Sequence, residues 1–171
     1  MRAISDTTLS LSVQQNAKAF WREQNIVQST ASIELNGYEW KKNGCKNQDV
    51  IVYGQLPLMT SAQCVVKNTK GCKKTQETLV IRGKFENEFY VRNCCNYCYN
   101  QIYERVPLSL HEYALELKEL NPLHFRMDFI EETEEQTYQV IQYFMNVFYG
   151  GERNESPAWE YTTGHYRKGV K

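Results

Sequence analysis

Long apolar runs are missing from this 171-residue chain. The longest, Val140 to Tyr149, is cut by Gln142 and Asn146 and falls well short of the roughly 20 residues that a membrane helix needs. No membrane partner is therefore expected. Met1 to Ser12 has Arg2 and Asp6 but no continuous apolar segment, which argues against a secretory signal and for a cytoplasmic location. Net charge is missing as well: twenty basic residues balance twenty acidic ones, so no global field draws in nucleic acid or an anionic surface, and such a partner must be met by a local patch. The chain has no His-Glu-x-x-His pair, no phosphate-cradling glycine loop and no Gly-x-Ser-x-Gly elbow. A standard hydrolase mechanism thus has no visible machinery. Internal repeats and low-complexity segments are also absent.

What the chain does have is a core and a group of thiols. A hydrophobic content of 42% suffices for packing, and 23% charge gives a polar surface. Five of the six cysteines lie between Cys64 and Cys98. Leaving out Cys94, the order is Cys64, seven residues, Cys72, a long gap, then Cys95-Asn96-Tyr97-Cys98. In a reducing compartment, clustered cysteines point to metal binding or catalysis rather than to disulfides. A Cys-x-x-Cys turn holds two sulfurs together without strain, and a second thiol-bearing segment completes four. On spacing alone zinc is the favoured ion, with an iron–sulfur cluster as the other option and buried apolar thiols as the bland one. Cys94 is out of register with the motif and Cys45 stands alone, so both read as structural thiols.

Hydrophobic periodicity predicts alternating strands and helices. Leu9, Leu11 and Val13 alternate with polar residues as a strand, and Ala17, Phe20 and Trp21 follow at helical spacing up to Asn25. Ile26-Val27 starts a short strand, and a helix-start signal at Ser32 leads through Leu35 and Tyr38 to Gly44. Val50 to Tyr53 suits a strand buried on both faces, and Gly54 to Met59 continues extended, with Pro57 marking an edge or bend. Lys67 to Gly71 reads as a polar loop. Leu79 and Ile81, then Phe89 and Val91, form the arms of a hairpin with Glu86-Asn87 near its tip. Beyond Cys98, Val106 to Leu108 is extended, Ser109 caps a helix through His111 to Leu120, and Asn121-Pro122 stops it. Phe125 to Phe129 is a further strand. Glu131 to Phe148 is a helix with acidic residues at its start and a stripe of Tyr138, Ile141, Phe144, Met145 and Phe148. Residues 150–171 read as an irregular surface arm.

Strand-then-helix units with short links are the pattern of a parallel α/β sheet or barrel. About four units are present, whereas a closed (β/α)8 barrel needs eight and roughly 250 residues. The expectation is an α/β fold over residues 1–149, a partial TIM-type barrel of about half size, carrying a cysteine-bearing hairpin insertion at 60–100. A half barrel leaves strand edges and an apolar interior uncovered, so a partner chain or self-association is expected to complete it.

Certain strings are more specific than periodicity. Tyr53-Gly54-Gln55-Leu56-Pro57-Leu58-Met59 running to Cys64, and Cys95-Asn96-Tyr97-Cys98-Tyr99-Asn100-Gln101-Ile102-Tyr103 with Pro107-Leu108-Ser109-Leu110, closely resemble the collagenase-like peptidase family. Further resemblance lies at Glu34-Leu35-Asn36, at Phe125 to Phe129 with Glu132, and at Thr162-Thr163-Gly164-His165 with Gly169-Val170. Gly83-Lys84, Glu104-Arg105 and Lys168 stand where the family usually has Asp-Arg, Asn-Ser and Arg. Lysine keeps the charge of arginine but loses its bidentate fork. The chain resembles only the C-terminal part of a family barrel, and the family's segment around paired cysteines has no counterpart in it. The resemblance implies a parallel barrel with its site at the C-terminal ends of the strands. It implies two activities: proteolysis, as the family name says, and oxygen-independent hydroxylation of RNA bases or of a quinone precursor. It also implies a four-iron four-sulfur cluster held by Cys64, Cys72, Cys95 and Cys98.

Candidate catalytic residues follow from that barrel. Glu34 would project near the C-terminal end of an early strand, with a helix-start carboxylate as its plain alternative. Arg126 and Asp128 share one face of a strand, to bind an anion or orient a proton carrier, or simply to form a salt bridge. His165, beside Arg167 and Lys168, suits an acid, a base or a phosphate contact, against an ordered surface tail. Three functions compete: an iron–sulfur enzyme acting on an RNA base or similar planar substrate, a peptidase acting on unfolded protein, and a non-enzymatic metal-stapled fragment that docks on a partner.

Overall fold

Seven residues, Gln48–Gly54, form the strand around which the larger part of the chain is built. The computed structural model describes Phe20, Glu23 and residues 28–72, 74–150 and 156–168. The strand expected at 9–13 and the strand start at 26–27 lie outside these residues. So does most of the first helix, of which Phe20 and Glu23 are described, and helical. The described chain divides into two compact units, one running to Gly54 and resuming at Leu108, the other spanning Gln55–Pro107.

In the first unit β1 (Ser29–Thr30) runs parallel to β2 (Gln48–Gly54), joined through α1 (Gly37–Asn43). Helix α1 starts later than Ser32. Asn36 accepts from the Glu39 N–H while the Glu39 carboxylate accepts from the Asn36 N–H, a reciprocal cap that Ser32 lacks. Ser32 is buried instead, and its carbonyl accepts from the Trp40 indole at 2.8 Å. Gly44 ends the helix at φ +67°, as its position suggested.

β2 is buried along almost its whole length, which fits its run of β-branched residues. Strand β8 (His124–Asp128) pairs with it in parallel, from Asp49↔His124 to Gly54↔Asp128. β7 (Leu108–Ser109) pairs with it antiparallel at its far end, Tyr53↔Ser109. The sheet is therefore mixed and is not closed into a barrel. Ser109 sits in β7 and does not cap a helix. The next turn, His111–Tyr113, has no side-chain cap and leads into α3 (Ala114–Glu119).

Helix α4 (Glu134–Met145) starts at Thr133, whose hydroxyl accepts from Gln136 N–H while Gln136 returns the bond. Its buried stripe is Val140 and Phe144, continued by Phe148 in a final π-helical turn. Tyr138 and Met145, expected in that stripe, are exposed, because Val140 takes the core-facing position one turn before Phe144. Val50, Val52, Leu110 and Leu117 complete the core, each worth about 1.5–3 kcal/mol if fully transferred from water. Residues 156–168, expected as a surface arm, pack into this unit. Ser109 N–H bonds the Thr162 carbonyl at 2.9 Å, Gly37 N–H the Tyr166 carbonyl at 2.8 Å, and Tyr166 is buried.

The second unit is an antiparallel sheet in the order β3 (Pro57–Ser61), β6 (Tyr99–Glu104), β5 (Glu88–Cys94), β4 (Thr78–Arg82). β4 and β5 are the expected hairpin, and Pro57 opens an edge strand, where its missing N–H costs nothing. β6 was not legible in the sequence. The expected loop after Cys64 is helix α2 (Val65–Lys70), and the first turn of that helix is fixed by the cysteine itself. Among the described residues no helix is long and apolar enough to cross a membrane.

Candidate metal centre

Alternation along β5 places Val91 and Asn93 on its buried face, and the chain then leaves the strand directly into Cys95. Asn93 is only 1% exposed, so its amide must find partners inside. It does so with the segment leading into β4: Oδ1 accepts from Glu77 N–H at 2.5 Å, and Nδ2 donates to the Thr75 carbonyl at 3.0 Å and to Cys95 Sγ at 3.2 Å. The Cys95 thiol donates to the Thr75 carbonyl at 3.0 Å. One buried amide thus ties together the segment after Cys72 and the Cys95-x-x-Cys98 turn, whose second cysteine adopts φ +55°.

The other cysteine pair arrives from the β3 side. Asn100 on β6 is fully buried and donates to the Gln63 carbonyl at 2.5 Å, which fixes the residue before Cys64. Cys64 is the N-cap of α2, its Sγ accepting from Lys67 N–H at 3.4 Å. Gly71, at φ +79°, ends this short helix and turns the chain into Cys72.

These segments surround one open cleft of about 340 Å³. Cys64, Cys72, Cys95 and Cys98 all line it, with Lys67 and Tyr99 among the other walls. Partial burial, and then the charges of Cys72, Cys64 and Cys98 and of Glu77, push the Cys95 thiol above its ordinary value. Cys95 is therefore within electrostatic reach of the other three sulfurs. Cys94 does not line the cleft and lies opposite Tyr99 across the β5–β6 pairing, where it raises the Tyr99 phenol's pKa. Cys45 is buried 3.9 Å from the Trp40 carbonyl. Among the described residues no three His, Cys, Asp or Glu side chains converge tightly enough to grip a single ion.

The donor set nonetheless suits a thiolate-ligated group. Two of the four sulfurs already receive N–H donors, from Lys67 and Asn93, and these bonds strengthen when the sulfur is a thiolate. Sequence reasoning missed Asn93. The signal was a polar residue at an inward position of a strand, two residues before the motif.

The other predicted site residues belong to the first unit. Arg126 Nε and Asp128 Oδ1 form an ion pair at 2.6 Å, both about one-third exposed. Asp128 ends β8 opposite Gly54. Glu34 is exposed in the turn after β1, its N–H bonded to Ser32 Oγ at 3.3 Å, and His165 is exposed in the turn that ends at Lys168. Among the described residues no hydrogen bond or ion pair joins Glu34 or His165 to the Arg126–Asp128 pair. A further carboxylate, Glu132, accepts from the Tyr53 hydroxyl at 2.9 Å and from Ile130 N–H at 2.9 Å. Burial first, then Glu132, keeps the Tyr53 phenol protonated far above the usual range. No family model, curated protein or solved structure matches the chain.

Proposed function

We propose that this chain is an iron–sulfur protein resembling the C-terminal part of a collagenase-like peptidase barrel, acting in oxygen-independent modification of an RNA base or a similar planar ring. The observation that carries the reading is the set of four cysteines around one cleft, delivered by two segments that Asn93 and Asn100 hold in place. Cys64, Cys72, Cys95 and Cys98 would hold the cluster. When bound, a four-iron four-sulfur cluster supplies one-electron transfer. The chain's own residues prepare the site: Lys67 N–H and the Asn93 amide donate to sulfur, and Lys67 adds a basic side chain to the cleft wall. The parallel β1–β2–β8 arrangement with its following helices supports a fragment of a β/α barrel, to be completed by a partner chain or a second copy.

Zinc is the other occupant that four thiolates suit. Proteolysis has less support, because the one serine–histidine contact among the described residues joins His111 to Ser109, which is fully buried and out of reach of a peptide bond. Anaerobic reconstitution of the full chain with iron and sulfide tests the proposal. Broad visible absorption with four iron and four acid-labile sulfides per chain is expected, lost in C95A and C98A and kept in C94A and C45A. A colourless product overturns the reading, and one zinc without sulfide assigns the site to a structural staple.

A further inference from the structure

Strand β8 closes one side of the first unit's sheet: among the described residues it pairs with β2 and with no strand beyond. The Asp128 carbonyl points at Gly54 across the β2–β8 pairing, so by alternation Phe125 and Met127 turn their N–H and C=O groups to the free side. An open edge of this kind recruits another strand unless proline, lysine or like charge blocks it. His124–Asp128 contains neither proline nor lysine, and its charges at Arg126 and Asp128 are opposite. They share one face of the strand, with Phe125, Met127 and then Phe129 on the other. Arg126 Nε holds Asp128 Oδ1 at 2.6 Å, while the Arg126 Nη groups and Asp128 Oδ2 have no hydrogen bond among the described residues. The ion pair therefore has donors and an acceptor left over at the edge.

We propose that two copies of the chain join edge to edge through β8, antiparallel about a two-fold axis at Met127. Paired residues must share a face, so such an axis passes through a residue and not between two. Centred on Arg126, it would set two guanidiniums opposite each other, which disfavours pairing. Centred on Met127, it sets Arg126 opposite Asp128 of the second copy and Phe125 opposite Phe129 of the second copy, and the spare Nη and Oδ2 groups can join the two ion pairs into one network. Charge complementarity thus selects both the occupant and the register.

Helix α4 agrees with this axis. Val140, Phe144 and Phe148 form its buried row, and on one flank of that row Tyr143 meets His111, just after β7, and Trp159. At about 100° per residue, Tyr138, Met145 and Tyr149 fall on the other flank, the β8 side, and all three are exposed. A two-fold axis normal to the sheet keeps α4 and its copy side by side on one face, so these two apolar flanks cover each other. The inference rests on the open sheet and is independent of what the cysteines hold.

Sedimentation velocity of the full chain in reducing buffer, between about 1 and 100 µM, tests it. A reversible dimer is expected. Arg126→Asp and Asp128→Arg each set like charges opposite one another across the axis and should raise the dissociation constant roughly tenfold, whereas the double exchange should restore it. Met145→Lys alters an exposed side chain, so it should leave the thermal transition of the monomer unchanged and weaken the dimer by a similar factor. A monomer at every concentration overturns the proposal, as does a heterogeneous aggregate. So does a dimer of wild-type affinity in both Arg126→Asp and Met145→Lys, which would place the interface elsewhere. Iron and sulfide content of the same samples keeps this idea apart from the proposed function: a dimer without a cluster retains the interface and removes the cofactor. A loaded monomer does the reverse.

Discussion

Asn93 Nδ2 lies 3.2 Å from Cys95 Sγ, and the same side chain closes hydrogen bonds to Thr75 and Glu77. A single buried amide is thus the joint between the hairpin and the cysteine turn. Asn93→Ala should remove three hydrogen bonds and orphan at least one buried group, costing about 2–4 kcal/mol of stability in the metal-free chain. Asn93→Asp keeps an acceptor for Glu77 N–H but loses both donors and adds charge beside the thiols. Urea unfolding and iron content measured on both variants should show lowered stability and lowered loading. Wild-type loading in Asn93→Ala would show that the cysteines are organised without it.

Gly54→Ala should be among the most damaging small substitutions in the first unit. Gly54 has φ +141°, a conformation that side chains rarely adopt, and an added Cβ would run into the Asp128 backbone carbonyl across the β2–β8 pairing. Backbone on a central strand pair has little room to yield, so the cost should exceed about 3 kcal/mol. Thermal melting followed by circular dichroism checks it. A transition within a few degrees of wild type would mean that the two strands separate easily.

Much of this fold was legible because its elements are locally determined. The β-branched run at Val50–Tyr53, the hairpin arms at Thr78–Arg82 and Glu88–Cys94, and the Gly44 and Asn121 helix stops each follow from residues a few positions apart. Two of the misses share a physical cause, tertiary contact. Ser109 looks like a helix cap, but pairing with Tyr53 and bonding to the Thr162 carbonyl draw it into a sheet. Tyr99–Glu104 lacks clean alternation because Asn100 and Gln101 interrupt it, and it becomes a strand through partners on both sides. Of the candidate site, the four cysteines were readable from spacing and resemblance. The Asn93 joint was not, since it depends on Thr75 and Glu77 arriving from across the sheet.

His111 gives the first unit an acid-sensitive element. Its Nδ1 lies 2.8 Å from the buried Ser109 hydroxyl, its ring packs 4.6 Å from Tyr161, and burial lowers its pKa against a smaller opposing pull from Glu112. A histidine held neutral in the fold takes up its proton more readily when unfolded. Its stabilising contribution is therefore complete above the unfolded value near 6.5 and is lost as pH falls through the lower folded value. His111→Gln retains polar groups and removes the titration, so stability plotted against pH should fall less steeply on the acid side than in wild type. Parallel curves for the two proteins would place the acid sensitivity elsewhere.

The raised Cys95 thiol makes metal uptake a proton-releasing event. Partial burial and the neighbouring charges of Cys72, Cys64 and Cys98 favour the protonated form, so at neutral pH the empty site holds a proton that a metal must displace. Affinity for zinc, used as a soluble probe of the thiol set, should therefore rise with pH, by up to about tenfold per pH unit for each proton released. Competition titrations with a chromogenic chelator between about pH 6.5 and 8.5 measure this directly. Cys72→Ser removes the neighbouring thiol that, after burial, acts most on Cys95. It should lower overall affinity as a ligand is lost, yet flatten the pH slope, because one fewer proton leaves and Cys95 gives up its own more easily. A slope unchanged by this substitution would mean that Cys72 and Cys95 do not share a site.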